Sequence, residues 1–67
     1  MDLVKLRCRF KELIQSPEIT SEEREVYRIA IKLVPELWNY PSMLMQKIYE
    51  IEREIKKRRH TQEIADF

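Results

Sequence analysis

Apolar side chains near the start of the chain recur at steps of three and four residues, which places them on one face of an α-helix. The basic side chains of this segment fall mostly outside that face. Asp2 is a suitable N-cap, and Pro17 disfavours the helical conformation at Ser16. We therefore predict a first helix over about residues 2–15, whose apolar stripe comprises Leu3, Leu6, Phe10, Leu13 and Ile14.

The second apolar segment has the clearest start signal in the chain. Thr20 and Glu23 have the spacing of a capping box, in which each side chain accepts a hydrogen bond from the backbone of the other. At 100° per residue, the apolar positions that follow cover an arc of roughly 200°, about twice what a surface helix needs. We predict a second helix over about residues 21–34 as the middle element. It would be covered by the first and third helices, or by one of them and a second protein.

Prolines divide the rest of the chain. Pro35 is suited to the first position of a short helical turn over residues 35–39, and Pro41 marks a second junction. Beyond it, a clean stripe with steps of four, three and four predicts a third helix over about residues 41–59, the longest of the three. The stripe comprises Leu44, Ile48, Ile51 and Ile55. The tail over residues 60–67 either extends this helix, begins a new one or frays.

Composition supports an architecture made only of helices. The 67 residues include no glycine, three prolines and 37% charged residues. Glycine commonly marks left-handed turns, strand bulges and phosphate-binding loops, so these features lack their usual sequence signal. We expect one all-α domain over residues 1–67, either a small up-down-up three-helix bundle or a helical hairpin with a long C-terminal helix. A domain this small usually needs a disulfide, a metal or an oligomeric partner for stability.

The sequence offers no constellation for catalysis or for metal binding. Cys8 is the only cysteine and His60 the only histidine, too few for an internal disulfide or a zinc site. We therefore predict no catalytic, metal-binding or cofactor-binding residues, no cofactor, no small-molecule substrate and no enzymatic activity.

The start of the chain does not resemble a secretory signal, and no apolar run is long enough to span a membrane, which predicts a cytoplasmic protein. The residue usage is typical of thermophile proteins, and equally of long-helix proteins from any source.

The junction between the second and third helices is rich in apolar side chains. Aromatic residues and methionine are enriched in interface cores, so we predict that this segment binds a protein partner. Alternatively, Trp38 folds back and closes the end of a thin bundle, and both roles are compatible. The predicted partner-binding residues are Leu37, Trp38, Tyr40, Met43 and Met45.

Four consecutive basic residues near the end of the third helix form a second candidate surface. Residues 47–59 include six basic and three acidic side chains, whereas the whole chain has a net charge of +1. Such a run can neutralise phosphates of DNA or RNA, and it also suits the negative end of a helix dipole. The candidate nucleic-acid-binding residues are Lys56, Lys57, Arg58 and Arg59.

Together these patterns indicate a binding function. We expect a small helical accessory subunit or adaptor that binds a larger protein, or a second copy of itself, through helix packing. The packing surface would be helix two with the junction, or the stripe of helix three. If the larger partner processes nucleic acid, the basic run would lie near that nucleic acid. The alternative is a small homodimeric DNA-binding regulator that uses the basic end of helix three directly.

Overall fold

The computed structural model describes the backbone of residues 2–65 and the side chains of residues 2–61. These described residues form four helices: α1 (Leu3–Ile14), α2 (Ser21–Leu33), the single-turn α3 (Glu36–Asn39) and α4 (Pro41–Ala65). The described part of the chain includes no β-strand. The prediction of a small all-α bundle with a long C-terminal helix is confirmed.

Two helices begin at the side-chain caps that the sequence predicts. The Asp2 carboxylate accepts a hydrogen bond from the Val4 backbone at 3.0 Å. At α2, the Glu23 backbone donates to the Thr20 hydroxyl and the Thr20 backbone donates to the Glu23 carboxylate, both at 3.1 Å. These bonds satisfy backbone N–H groups that have no partner inside a helix. The caps therefore fix where α1 and α2 begin.

Contacts between distant residues define the direction of each helix. Arg7 in α1 contacts the residues just before α4, and Arg9 pairs with Glu52 at 3.6 Å. α1 and α4 therefore run parallel. Glu23 at the start of α2 pairs with Arg58 far along α4, so α2 runs antiparallel to both. The result is an up-down-up arrangement of α1, α2 and α4.

α4 supplies the centre of the hydrophobic core. All four members of its predicted stripe are buried, and Leu44 and Ile51 have no exposed surface at all. The buried side chains of α1 and the connecting segment pack against this stripe. Among the residues whose side chains are described, the core comprises Phe10, Leu13, Ile14, Ile19, Leu44, Ile48, Ile51 and Ile55.

The prediction that the second helix is the middle element is wrong. No residue of α2 is buried, and only Tyr27 and Ile31 pack partly against the core. α4 occupies the central position instead: its leucine and isoleucine stripe, from Leu44 to Ile55, is buried, whereas its Met45 and Tyr49 lie outside the stripe and are exposed. The wide apolar arc of α2 is covered on one side only. The other predicted arrangement, in which a second protein covers α2, stays a prediction.

The third predicted helix extends further than residue 59. α4 continues through His60 to Ala65, which is one of the three outcomes that the sequence leaves open for the tail. No proline or glycine interrupts residues 60–65, and the Thr61 hydroxyl donates to the Lys57 carbonyl one turn earlier at 2.9 Å. The extended helix accounts for the elongated shape, which measures 43 × 25 × 14 Å. Residues 66 and 67 of the predicted tail lie outside the described residues.

Candidate protein-binding surface

α2 has two apolar faces, of which only one packs against the rest of the protein. Val26, Ile29 and Leu33 are separated by three and four residues, so they form a single stripe along the other face. We call these three residues the outer stripe. Their exposed fractions are 61%, 46% and 76%, respectively. The outer stripe is thus an apolar surface turned away from the core.

Contacts with α1 hold the inner face of α2 in place. The ring of Tyr27 packs edge-on against Phe10, with 6.4 Å between ring centroids. Near the start of α2, Arg24 Nε donates a hydrogen bond of 2.6 Å to the Ile14 carbonyl. This carbonyl lies in the last turn of α1, where helix carbonyls lack partners within the helix. Because the inner face is fixed in this way, the outer stripe must point outward.

A cluster of two carboxylates and two guanidinium groups joins the start of α2 to α4. We call Glu18, Glu23, Arg58 and Arg59 the ionic clamp. Arg58 forms a bidentate salt bridge with Glu23, in which Nη1 donates to Oε1 at 2.7 Å and Nη2 donates to Oε2 at 2.6 Å. Arg58 Nη1 also donates to the Glu18 backbone carbonyl at 2.6 Å. Arg59 pairs with the Glu18 carboxylate at 2.7 Å. Paired guanidinium and carboxylate groups of this geometry form strong, directional hydrogen bonds.

The ionic clamp strongly favours the charged forms of its carboxylates. Hydrogen bonds from Arg58 and from the Thr20 backbone lower the pKa of Glu23 from 4.5 to about 2. Hydrogen bonds from Arg59 and the Ser16 hydroxyl lower the pKa of Glu18 from 4.5 to about 2. The same pairs raise the pKa values of both arginines. The clamp therefore remains fully charged at neutral pH.

The four basic residues predicted to bind nucleic acid fall into two pairs in the structure, one engaged in the ionic clamp and one exposed. Arg58 and Arg59 make ion pairs within the protein, whereas Lys56 and Lys57 are exposed on α4. The predicted position of the run at the negative end of a helix dipole also differs from the structure. α4 continues beyond these residues, so the last helical turn lies further along the chain. Arg58 and Arg59 thus pair with the distant Glu23 and Glu18, which no local pattern indicates, and Arg58 also pairs with Glu54 one turn earlier at 3.2 Å.

Trp38 folds back onto the end of the bundle. Its ring packs edge-on against Phe10 at 5.9 Å, and the charged groups of Arg7 and Lys11 lie 5.2 and 5.7 Å from its centroid. Arg7 also donates to the Trp38 carbonyl at 3.1 Å and to the Asn39 side chain at 3.0 Å. Trp38 therefore closes one end of the core while part of its ring remains accessible.

The other predicted junction residues differ in their exposure. Leu37 and Met43 are half-buried, whereas Tyr40 and Met45 are exposed. Met45 lines a shallow depression on α4 together with Tyr49, and Trp38 lines a different depression between α1 and α2. Trp38 and Met45 therefore line different depressions, and the prediction that the junction binds a protein partner stays a prediction.

The depression beside Trp38 is an open groove of about 520 Å³ between α1 and α2. We call it the α1–α2 groove. One member of the outer stripe, Ile29, also lines it, so the groove and the stripe are adjacent. Sequence reasoning missed the groove because its residues come from three helices with no common motif. Its lining comprises Phe10, Lys11, Ile14, Gln15, Glu25, Arg28, Ile29, Ile31, Lys32 and Trp38.

The residues considered for chemistry lie apart from this surface. Cys8 is an exposed thiol on α1, and His60 is exposed on α4. Across the described residues, no three histidine, cysteine or carboxylate side chains are grouped closely enough to hold a metal ion. Within residues 2–65, none of the helices offers an apolar stretch of membrane-spanning length.

The outer stripe and the α1–α2 groove thus form the principal apolar surface of α2, bordered by charged side chains. No protein-family model matches this chain, and neither a curated protein nor a solved structure is significantly similar to it. Its function is therefore inferred from the geometry of the chain itself.

Proposed function

We propose that this chain is a small helical accessory subunit or adaptor that binds a larger protein through helix packing. The observation that supports the proposal is the outer stripe of Val26, Ile29 and Leu33, three aligned and exposed apolar side chains. Aligned apolar anchors on one helix face are what helix-in-groove and helix–helix recognition require. α2 therefore serves as the binding helix, and α4 serves as the structural centre.

The energetic argument concerns the size of the domain. Complete burial of a side chain such as valine or leucine contributes roughly 1.5–3 kcal/mol. A core of this size rarely supplies more than about 3–5 kcal/mol in total. Covering the outer stripe would therefore add a contribution comparable to the stability of the isolated domain. A partner that packs on α2 would both be recognised by the chain and stabilise it.

The ionic clamp favours protein binding over direct DNA binding as the main function. Arg58 and Arg59 are engaged with Glu23 and Glu18, so releasing them for phosphates would break contacts that hold α2 in place. Lys56 and Lys57 remain exposed on α4. They would place a small positive surface near nucleic acid only if the larger partner binds nucleic acid.

The test compares two valines that are equally exposed on different helices. Val26 belongs to the outer stripe and is 61% exposed, whereas Val4 lies on α1 and is 62% exposed. The full chain and its Val26→Glu and Val4→Glu variants are used to isolate partners from cells of the source organism, with quantitative mass spectrometry. We expect one protein to be retained by the wild type and by Val4→Glu, and to be reduced by about tenfold or more with Val26→Glu, a change of about 1.4 kcal/mol.

Two controls make the result decisive. Circular dichroism must show equal helicity in the three proteins, since both substitutions are at exposed helical positions. Sedimentation of the purified chain then measures self-association. If Val26→Glu captures the same proteins as the wild type, the outer stripe is not the binding surface. If the chain instead forms a dimer that Val26→Glu disrupts, the partner is a second copy and the proposal of a larger protein is wrong.

A further inference from the structure

We propose that the α1–α2 groove binds an amphipathic helix whose apolar anchors are flanked by acidic residues. The inference rests on the proposed function, because it names the chemistry of the partner segment that would pack beside the outer stripe. It extends that proposal from a single apolar stripe to a shaped site. The site has an apolar floor and a charged rim.

The floor of the groove is formed by apolar side chains from three helices. Phe10 and Ile14 come from α1, Ile29 and Ile31 from α2, and Trp38 from α3. Along α2 the lining extends from Glu25 to Lys32, which corresponds to about two helical turns. This length matches apolar anchors placed at positions i, i+3, i+4 and i+7 of a bound helix.

The rim of the groove is mainly basic. Lys11, Arg28 and Lys32 line it with a single acidic residue, Glu25, so three positive charges and one negative charge give a local net charge of +2. The whole chain has a net charge of only +1. Arg28 partly neutralises Glu25 across one helical turn at 3.9 Å. Complementary charge on a ligand would therefore be negative.

The walls of the groove determine the conformation of the ligand. Residues 10–15 and 25–32, which line its two sides, lie almost wholly within α1 and α2. Their backbone N–H and C=O groups are largely used inside the helices, so the walls offer no edge to which an extended strand could be added. Recognition must come from side chains, which is the mode used by a helix lying in an apolar groove.

The same geometry disfavours single-stranded nucleic acid as the occupant. Binding of exposed bases commonly relies on aromatic faces on which the bases stack. The Trp38 ring packs edge-on against Phe10, and the charged ends of Arg7 and Lys11 lie over it at 5.2 and 5.7 Å. A base that stacked on Trp38 would compete with these two cationic groups for the ring. An acidic helix requires only the apolar floor and the basic rim.

Trp38 provides a direct measurement of binding, because it is the only tryptophan in the chain and lies in the groove. Two synthetic helices of about 15 residues, or four turns, are stapled to keep them helical. Both have leucine anchors at i, i+3, i+4 and i+7. One has glutamates beside the anchors and the other has lysines. We expect the acidic peptide to change the Trp38 emission and to bind about tenfold more tightly than the basic peptide at low salt.

Variants of the rim test the source of this preference. Lys11→Glu combined with Lys32→Glu should reverse it, so that the basic peptide becomes the tighter ligand. Lys56→Glu combined with Lys57→Glu is the matched control, because it changes the net charge equally but alters side chains outside the groove. The control should retain the preference for the acidic peptide. The baseline Trp38 emission of each variant is recorded first, since Lys11 lies near the ring.

Three results would overturn the inference. The first is equal affinity for the acidic and basic peptides, and the second is an identical response of the rim variant and its matched control. The third is tighter binding of an oligonucleotide than of the acidic peptide, abolished by the rim substitutions.

If neither peptide binds but partner capture still depends on Val26, only this inference is wrong. If the acidic peptide binds as expected but capture does not depend on Val26, the proposed function is wrong and the groove assignment stands.

Discussion

α2 and α4 are both rich in apolar residues, yet they occupy opposite positions in the fold. The apolar residues of α4 include Leu44 and Ile51, which are completely buried. α2 has a wider apolar arc but no buried residue, and its Leu33 is among the most exposed apolar side chains of the described region. The leucine and isoleucine side chains of the central helix, from Leu44 to Ile55, form one narrow stripe. The valine, leucine and isoleucine side chains of α2 spread over a wide arc, and this helix lies at the surface.

The difference shows that a wider apolar surface does not make a helix more buried. Burial depends also on whether the apolar side chains point towards the neighbouring helices. A narrow stripe can be buried completely by one neighbouring layer, because all its members point the same way. A wide arc needs neighbours on two sides, and within residues 2–65 the other helices contact α2 on one side. The apolar side chains of α2 that face away from this contact, which form the outer stripe, therefore stay exposed in the isolated chain. This surface is where we place the partner.

The comparison predicts that a leucine-to-alanine substitution lowers the free energy of unfolding much more in α4 than in α2. Leu44→Ala should lower the free energy of unfolding by about 2–5 kcal/mol, because it leaves a cavity in a completely buried site. Leu33→Ala should change it by no more than about 0.5 kcal/mol, because the side chain is mostly exposed. Urea unfolding followed by circular dichroism at 222 nm measures both values. Since the whole domain is marginally stable, Leu44→Ala should leave a partly unfolded chain even without urea.

A similar loss in the two variants would contradict this comparison. It would mean that the outer stripe is covered in solution, for instance by a second copy of the chain. Repeating the Leu33→Ala measurement over a range of protein concentrations distinguishes these cases. The stability of a self-associated protein rises with concentration, whereas that of a monomer does not.

The ionic clamp predicts that the attachment of α2 to α4 weakens in acid. The pKa of Glu23 is about 2 in the folded protein, below its usual value of 4.5, so its contribution to stability is present above about pH 5. It is lost as the pH falls from about 5 to 2, because the unfolded chain then binds more protons. The urea midpoint of the wild type should decrease over this range. Glu23→Gln should lower the midpoint at pH 7 and flatten its pH dependence.

Glu22→Gln is the control for the clamp. Glu22 lies in the same first turn of α2 and is exposed, so its substitution tests the helix-dipole contribution without the clamp. The pH dependence of Glu22→Gln should remain close to that of the wild type. If Glu22→Gln and Glu23→Gln flatten the profile equally, the pairing of Glu23 with Arg58 is not what attaches α2.

The smallest expected effect concerns DNA. If only the exposed Lys56 and Lys57 contact phosphates, the slope of log affinity against log salt should be no steeper than about −1.8, or about −0.9 for each contact. Participation of Arg58 and Arg59 would give a slope near −3.6 and would require opening of the clamp. Fluorescence anisotropy with a labelled duplex between about 50 and 200 mM salt measures the slope. A steep slope would support the DNA-binding regulator that the sequence also suggested.

Most of the fold follows from local patterns. The Thr20–Glu23 capping box, the N-cap at Asp2 and the stripe of α4 could each be predicted, because they depend on residues within a few turns of one another. The burial of Ile19 could not, because it lies between helices and belongs to no stripe. The sequence leaves residues 60–67 open among an extended helix, a new helix and a frayed end, and the structure shows extension as far as Ala65. A basic run is typical of a helix end, but it does not stop a helix.

Less of the candidate site could be predicted. Sequence reasoning identified Trp38 and noted that the apolar arc of α2 was too wide. The α1–α2 groove needs Phe10, Ile29 and Trp38 together, and these residues are brought close only by the packing of three helices. The engagement of Arg58 and Arg59 depends on Glu18 and Glu23, about 40 and 35 residues away in sequence. Such pairings are absent from any local pattern.

The sequence by itself determined that this protein is helical, where its first two helices begin, and which face of α4 is apolar. These features are local, because capping and helical periodicity depend on neighbours within a few residues. Only the tertiary structure decided that α4 lies at the centre, that α2 turns an apolar face outward, and that Arg58 and Arg59 pair with distant carboxylates. Those outcomes depend on which helices meet, and here the packed helices cover only one side of α2.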